Sequence, residues 1–202
     1  LGVLDMNKWV LIPAIGLGLG AALPPDAASS KPALMGETAP TWYNCLSREV
    51  FTPEKQAWCD RWRVLQNATY TVPANLAPNA PQIQVTLNNG RYQRQDGKLF
   101  VQLVNEKGWT PFGDINGDGQ QDAAVIFGVA LDPTGKSIAT YLTAVLNVDG
   151  KARALTPIRL GERIRLNGPI AIKKNSITVP FLTQNEVINR IYTIDEVLTE
   201  QK

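Results

Sequence analysis

The chain has 202 residues, 44% of them hydrophobic and 19% charged, with a formal net charge of +2. These proportions fit one globular domain with extensions and exclude wholesale disorder, while the near-neutral balance without a dense Lys/Arg cluster excludes nucleic acid as a partner. Histidine is absent, which removes Ser-His-Asp and Cys-His nucleophile systems, imidazole general bases and histidine-ligated zinc.

Met6-Asn7-Lys8 supplies a basic start, and Trp9 to Leu23 is a mostly apolar stretch without charge. Small residues, Gly20-Ala21-Ala22, offer a cleavage context, so residues 1–28 are expected to be a signal peptide or an N-terminal anchor. The run is short for a spanning helix and is interrupted by Pro13. No cysteine follows it closely, which argues against a lipid anchor. The expected location is the periplasm, a thylakoid lumen or the extracellular space. Cys45 and Cys59 agree with export: an even count in an oxidising compartment favours a disulfide, and their spacing is not the C-x-x-C of a redox pair.

Residues 29–40 are rich in Pro, Ala and Ser and read as a linker. Residues 41–78 form a Trp-rich helical segment. Thr52 is a candidate N-cap, Pro53 is pre-set for the first helical position, and Glu54 complements the helix dipole. The helix is expected to reach about Gln66, with Trp58, Trp62 and Leu65 as its apolar stripe. Such a stripe reads as core more readily than as an aromatic ligand platform. Asn67-Ala68-Thr69 is a glycosylation sequon, meaningful only in a eukaryotic secretory route.

Residues 79–198 are expected to form a β domain. Ile83, Val85 and Leu87 alternate with polar residues, and Asn88-Asn89-Gly90 marks a hairpin turn. Strands follow at Arg91–Gln95 and Leu99–Val104, separated by Asp96-Gly97. Asp122 to Ala130 is apolar almost throughout, as a strand buried on both faces must be. Asp132-Pro133-Thr134-Gly135 leads to a strand from Ile138 to Asn147, and Asp149-Gly150 to another from Ala152 to Leu160. Further strands fit Arg163–Leu166, Ile170–Ile172, Ile177–Leu182 and Val187–Ile194. The fold class is α+β and mainly β: an antiparallel sheet or small open barrel with one N-terminal, disulfide-linked helix.

Residues Asp114-Ile-Asn-Gly-Asp-Gly-Gln-Gln-Asp122 carry the chemistry of a hard-cation loop. Calcium takes six to eight oxygens. Asp114, Asn116 and Asp118 alternate so that a coiled loop aims all three inward; Gln120 would add its backbone carbonyl and Asp122 a last carboxylate, directly or through water. Gly117 and Gly119 permit positive φ. An EF-hand needs a bidentate Glu at its twelfth position, where this chain has Val125. The loop is therefore expected to join strands, with a modest calcium affinity of roughly 10⁻⁴–10⁻³ M. Its alternative is a glycine-rich turn whose Asp and Asn side chains bond their own backbone. Ala130 to Ser137 matches a loose nucleotide-loop pattern, but a strand rather than a helix follows it, so no nucleotide is expected.

The segments Gly113-Asp-Ile-Asn-Gly-Asp-Gly-Gln-Gln-Asp-Ala-Ala-Val125, Tyr141-Leu-Thr-Ala-Val-Leu-Asn147, Asp149-Gly-Lys151 and Leu160-Gly-Glu-Arg-Ile164 resemble a family of small exported bacterial domains of unknown function. Its members carry a G-D-L-N-G-D-G-x-x-D-A-A-V calcium-type loop, a Y-L-A-A-V-L-N strand and an L-G-D-R-V segment in this order. The resemblance spans Gln82 to Ile194 and brings no catalytic residues. The segments with Trp42-Tyr-Asn-Cys45 and Pro53-Glu-Lys-Gln-Ala-Trp-Cys59 are similar to cyanobacterial exported proteins. Together these features point to an exported, non-catalytic accessory or binding domain stabilised by calcium. One alternative is a subunit or assembly factor of a membrane complex, docking to a protein partner through the N-terminal segment. Another is a hydrolase using paired carboxylates, drawn from Asp96, Glu106, Asp132, Asp149, Glu162 and Glu186.

Overall fold

A computed structural model describes residues 42–194 and 198–200, except 78, 133, 135, 163 and 183–185. The apolar segment 9–23 lies outside them, and among the described residues no helix is long and apolar enough to cross a membrane. The order of elements is α1 (Pro53–Gln66), β1 (Thr69–Pro73), β2 (Gln82–Thr86), β3 (Arg91–Gln93), β4 (Phe100–Leu103), β5 (Phe112–Gly113), β6 (Asp122–Ala130), β7 (Ile138–Val148), β8 (Lys151–Ala154), β9 (Ile158–Glu162), β10 (Ala171–Lys173), β11 (Ser176–Leu182), β12 (Val187–Ile194) and β13 (Leu198–Glu200).

The strands form antiparallel sheets around β6 and β7. The main sheet runs β3-β4-β6-β7-β8, with β5 also on β6 and β9 also on β7. A second sheet runs β10-β11-β12-β13, and β1 pairs with β2. Because side chains alternate across a strand, β6 feeds two cores. Ala123, Val125, Phe127 and Val129 pack with Trp58, Trp62 and Leu65 of the helix. Ala124 and Ile126 pack instead with Ile177, Val179, Phe181 and Tyr192 of the second sheet. The main sheet is thus the middle layer, which explains the unbroken apolar run of β6.

Helix α1 begins as its sequence demands. The Thr52 hydroxyl accepts from the Lys55 amide at 3.3 Å, and Pro53 needs no donor at the first position. Trp58 stacks on Trp62 at 5.9 Å and meets the Phe112 ring edge-on at 5.9 Å, so the stripe is core. Cys45 and Cys59 form the disulfide, with Cα atoms 5.7 Å apart. It folds the segment before the helix back over α1, where the buried Lys55 ammonium meets Glu49, the Ser47 hydroxyl and the face of Phe51. Trp42 adds a second tie, its indole N–H donating to Asn105 at 2.9 Å.

Several boundaries differ from the sequence expectation, each for a local reason. The single strand expected from Ala152 to Leu160 is two, β8 and β9, separated by Leu155-Thr156-Pro157. Proline ends ladder pairing there, and the Leu155 carbonyl instead accepts the Thr143 hydroxyl at 2.7 Å. Of the strand expected at Arg163–Leu166, residue 163 lies outside the described residues, and the rest contributes a lone bridge, Leu166 to Phe181. Strand β3 stops at Gln93 because Arg94 enters the turn, its amide donating to the Leu99 carbonyl and its guanidinium to Asp96. Strand β1 has a short period-two signal that the sequence reading passed over, Thr69-Tyr70-Thr71-Val72 with Tyr70 and Val72 buried, whereas β5 and β13, of two and three residues, are too short to read.

Replacing both cysteines by alanine is expected to lower stability by about 3 kcal/mol in urea unfolding, since the bridge closes a loop of this size; an unchanged midpoint would show that the bridge does not constrain the unfolded chain. The buried Tyr70 hydroxyl donates to the Leu65 carbonyl at 2.9 Å, and burial raises its pKa far above the usual 10.0. Its stabilisation is complete below that value and lost as pH climbs toward the raised one. Tyr70→Phe should cost about 1 kcal/mol at neutral pH and flatten the alkaline fall in melting temperature; an identical fall in both proteins contradicts this.

Candidate functional site

The loop between β5 and β6 is held from beneath by Asp122. This carboxylate is 1% exposed, and it begins the apolar strand β6. Its Oδ2 accepts from the Ile115 and Asn116 amides at 2.9 and 3.4 Å, and its Oδ1 accepts from the Asn147 amide on β7 at 2.8 Å. A carboxylate has about four lone-pair sites, so three backbone donors leave it little spare capacity. The burial of a charged group at this point is tolerable because it is hydrogen-bonded on both oxygens.

The rest of the loop is more open and is wound on its own amides. The Asp114 carboxylate accepts from Gly117 at 2.7 Å and from Gly119 at 3.0 Å. Asn116 accepts from the Asp118 amide, while its side-chain amide donates to the Asp118 carboxylate at 2.9 Å. Asp118 also accepts from Gln120 at 2.7 Å. Gly117 and Gly119 take φ of +82° and +81°, the left-handed turn that lets the chain reverse around Asp114. These Asx turns are the alternative that the sequence left open for the same residues.

Through this loop the three layers meet. Gln121 accepts from the Arg61 guanidinium of α1 at 3.2 Å, and that guanidinium lies 5.0 Å over the Phe112 ring. On the other side, the Ile115 carbonyl accepts the Asn175 amide of the β10–β11 turn at 2.8 Å, and Ile115 itself is fully buried in the second core. The Lys174 side chain reaches the backbone of Gly117, where an added Cβ would lie 3.3 Å from its Cε.

The donor set for a cation follows from this geometry. Asp114, Asn116 and Asp118 lie on the lip, linked through the backbone amides of Gly117 to Gln120. Asp122 lies below, already occupied by backbone donors. Among the described residues, no three Asp, Glu, His or Cys side chains converge as a ready ligand group. The lip residues fit a hard, oxygen-seeking ion only in part, with water completing its shell.

The other acids considered from sequence are dispersed. Asp96 caps the β3–β4 turn, where the Arg94 guanidinium and the Lys98 amide hold its carboxyl below the usual range. Asp132 accepts the Thr134 amide at 2.8 Å, and Asp149 turns β7 into β8 with a φ of +51°. Glu162 pairs with Arg159 at 2.7 Å at the end of β9, the Glu106 carbonyl accepts the Trp109 amide, and Glu186 lies just before β12. Asp122 lies in a cleft of about 370 Å³ under the loop and Glu162 in another of about 270 Å³ beside Phe181, with no second acid in either wall among the described residues. Sequence reading missed Arg61 and Lys174 as neighbours of the loop, since only the folded layers bring them there. Neither protein-family models, nor curated proteins, nor solved structures give a match to this chain.

In calcium-free buffer, Asp122→Ala should cost about 3 kcal/mol or more, because it strands amides inside the protein. Asp118→Ala, on the open lip, should stay within about 1 kcal/mol. Equal losses in urea unfolding for the two variants would contradict the division of labour between base and lip.

Proposed function

We propose that the protein is an exported, non-catalytic accessory or binding domain whose β5–β6 loop is stabilised by one calcium ion. Asp114, Asn116 and Asp118 would contribute side-chain oxygens and Gln120 its carbonyl, with Asp122 reaching the ion through water. The observation that carries this reading is the lip itself: Asp114 accepts from the Gly117 and Gly119 amides that flank Asp118, so both carboxylates belong to one tight turn, with no cation pairing either of them in a salt bridge among the described residues. Two like charges on one tight loop repel, and a divalent ion removes that cost. The spacing of the motif and its resemblance to loops of exported bacterial domains point the same way. So does the Cys45–Cys59 disulfide, a bond that persists in oxidising compartments.

A hydrolase built on paired carboxylates would need two acids facing one cleft. Asp122 and Glu162 line different cavities, and Asp122 is committed to backbone donors. The non-catalytic reading is therefore preferred.

Adding calcium to about 10 mM after chelation should raise the melting temperature by roughly 3–10 °C, as expected for one site with a dissociation constant near 10⁻⁴–10⁻³ M. Asp118→Ala should abolish the rise. No shift in the unaltered protein, or an equal shift with magnesium and with the variant, argues against the site.

A further inference from the structure

One end of the main sheet carries a second concave surface, far along β6 from the loop. It lies over β3, β4 and the last residues of β6, encloses about 510 Å³, and includes Arg91, Tyr92, Gln93, Phe100, Gln102 and Gly128 in its wall. A neighbouring cleft of about 380 Å³, beside Trp42 and Gln66, shares Asn89, Arg91 and Gln102 with it. The two adjoin at these residues.

Strand register decides what this surface presents. Arg91 stands opposite Gln102, and Gln102 opposite Gly128; one step along, Gln93 stands opposite Phe100, and Phe100 opposite Ala130. Directly opposed side chains project to the same face. A guanidinium, two carboxamides and a phenyl ring therefore stand side by side, next to Gly128 with the Ile138 side chain packed against it. Arg91 and Gln93 are exposed, while Phe100, Gln102 and Gly128 are half-buried. The side chains of Gln66, Arg91, Gln93 and Gln102 make no hydrogen bond or ion pair among the described residues. Neither cleft contains a carboxylate in its wall.

From this juxtaposition we propose that the joined clefts bind an oligosaccharide. Each carboxamide offers a donor and an acceptor at one end, which matches adjacent ring hydroxyls, themselves both donor and acceptor. The Phe100 ring supplies a flat apolar surface for the C–H face of a sugar. Arg91 adds donors for a hydroxyl, or for the ring carboxylate of an acidic sugar. Ile138, whose Cγ2 would lie 3.1 Å from a Cβ added at Gly128, fills the place beside the glycine and extends the apolar floor. The two adjoining clefts give room for more than one sugar unit. With no acid in either wall, the ligand is held and released unchanged. This last point rests on the non-catalytic reading above.

The test is calorimetric titration of the full chain with chitotetraose, cellotetraose and tetragalacturonate, followed by chromatography of the recovered sugar. Saturable binding of at least one probe at millimolar concentration or below is expected. Arg91→Ala and Gln102→Ala should each weaken it by roughly tenfold while leaving the melting temperature unchanged. Binding of the acidic probe alone identifies Arg91 as a carboxylate contact; binding of neutral probes identifies it as a hydroxyl contact. No saturable binding of any probe, or equal binding by both variants, overturns the proposal. A calcium chelator should not alter the titration, because none of residues 114–122 lines either cleft. Failure of the calcium site is thereby read separately. Shortened sugar in the recovered sample would defeat the non-catalytic reading and leave the binding site standing.

Discussion

The carboxylate of Asp122 is the constraint on which the arrangement of layers depends. It sits where a continuous apolar strand begins, and it gathers amides from the loop before it and from the neighbouring strand β7. By fixing Ile115 and Asn116 it fixes the direction in which the loop leaves the main sheet. Ile115 can then enter the second core and accept the Asn175 amide. The opposite flank meets the helix through Gln121 and Arg61. A buried anion without those donors would cost more than the fold could spare. With them, it locks a helix, a sheet and a hairpin to one short segment.

Much of the fold was legible because local and global preferences agree. Thr52-Pro53-Glu54 starts the helix, the tryptophan stripe faces the sheet, and Asn89-Gly90 and Asp149-Gly150 turn with positive φ. The apolar run from Ala123 to Ala130 correctly implied a strand covered on both faces. What escaped was set by partners distant in sequence. Strand β5 is two residues long and defined by its pairing with β6. In place of the expected strand, Leu166 bridges Phe181 while its neighbours Arg165 and Asn167 bond to Leu182 and Pro180, an attachment set by β11 rather than by local pattern.

The site was legible in its residues and less so in their roles. The nine-residue motif located a tight loop with two positive-φ glycines, as the structure has it. It could not separate Asp122 from Asp114 and Asp118, because the difference is burial, and burial comes from β7. An acid immediately followed by an apolar strand is the signal that could have been read. The surface around Arg91, Gln93, Phe100 and Gln102 was invisible for the opposite reason. Those residues alternate along two strands and acquire a common face only through register. If the calcium and glycan readings both hold, a rigid clamp at one end of the sheet steadies a recognition surface near the other.

The most direct measurement of the central claim is amide hydrogen exchange at Ile115, Asn116 and Asn147, with and without calcium. A carboxylate clamp that belongs to the fold predicts protection of the Ile115 and Asn147 amides close to that of the β6–β7 ladder in both conditions. Calcium should slow exchange further only on the lip, at Gly117, Gly119 and Gln120. Free exchange of Ile115 and Asn147 in chelator, restored to protection by calcium, would contradict the account and make the ion, rather than Asp122, the element that holds the layers together.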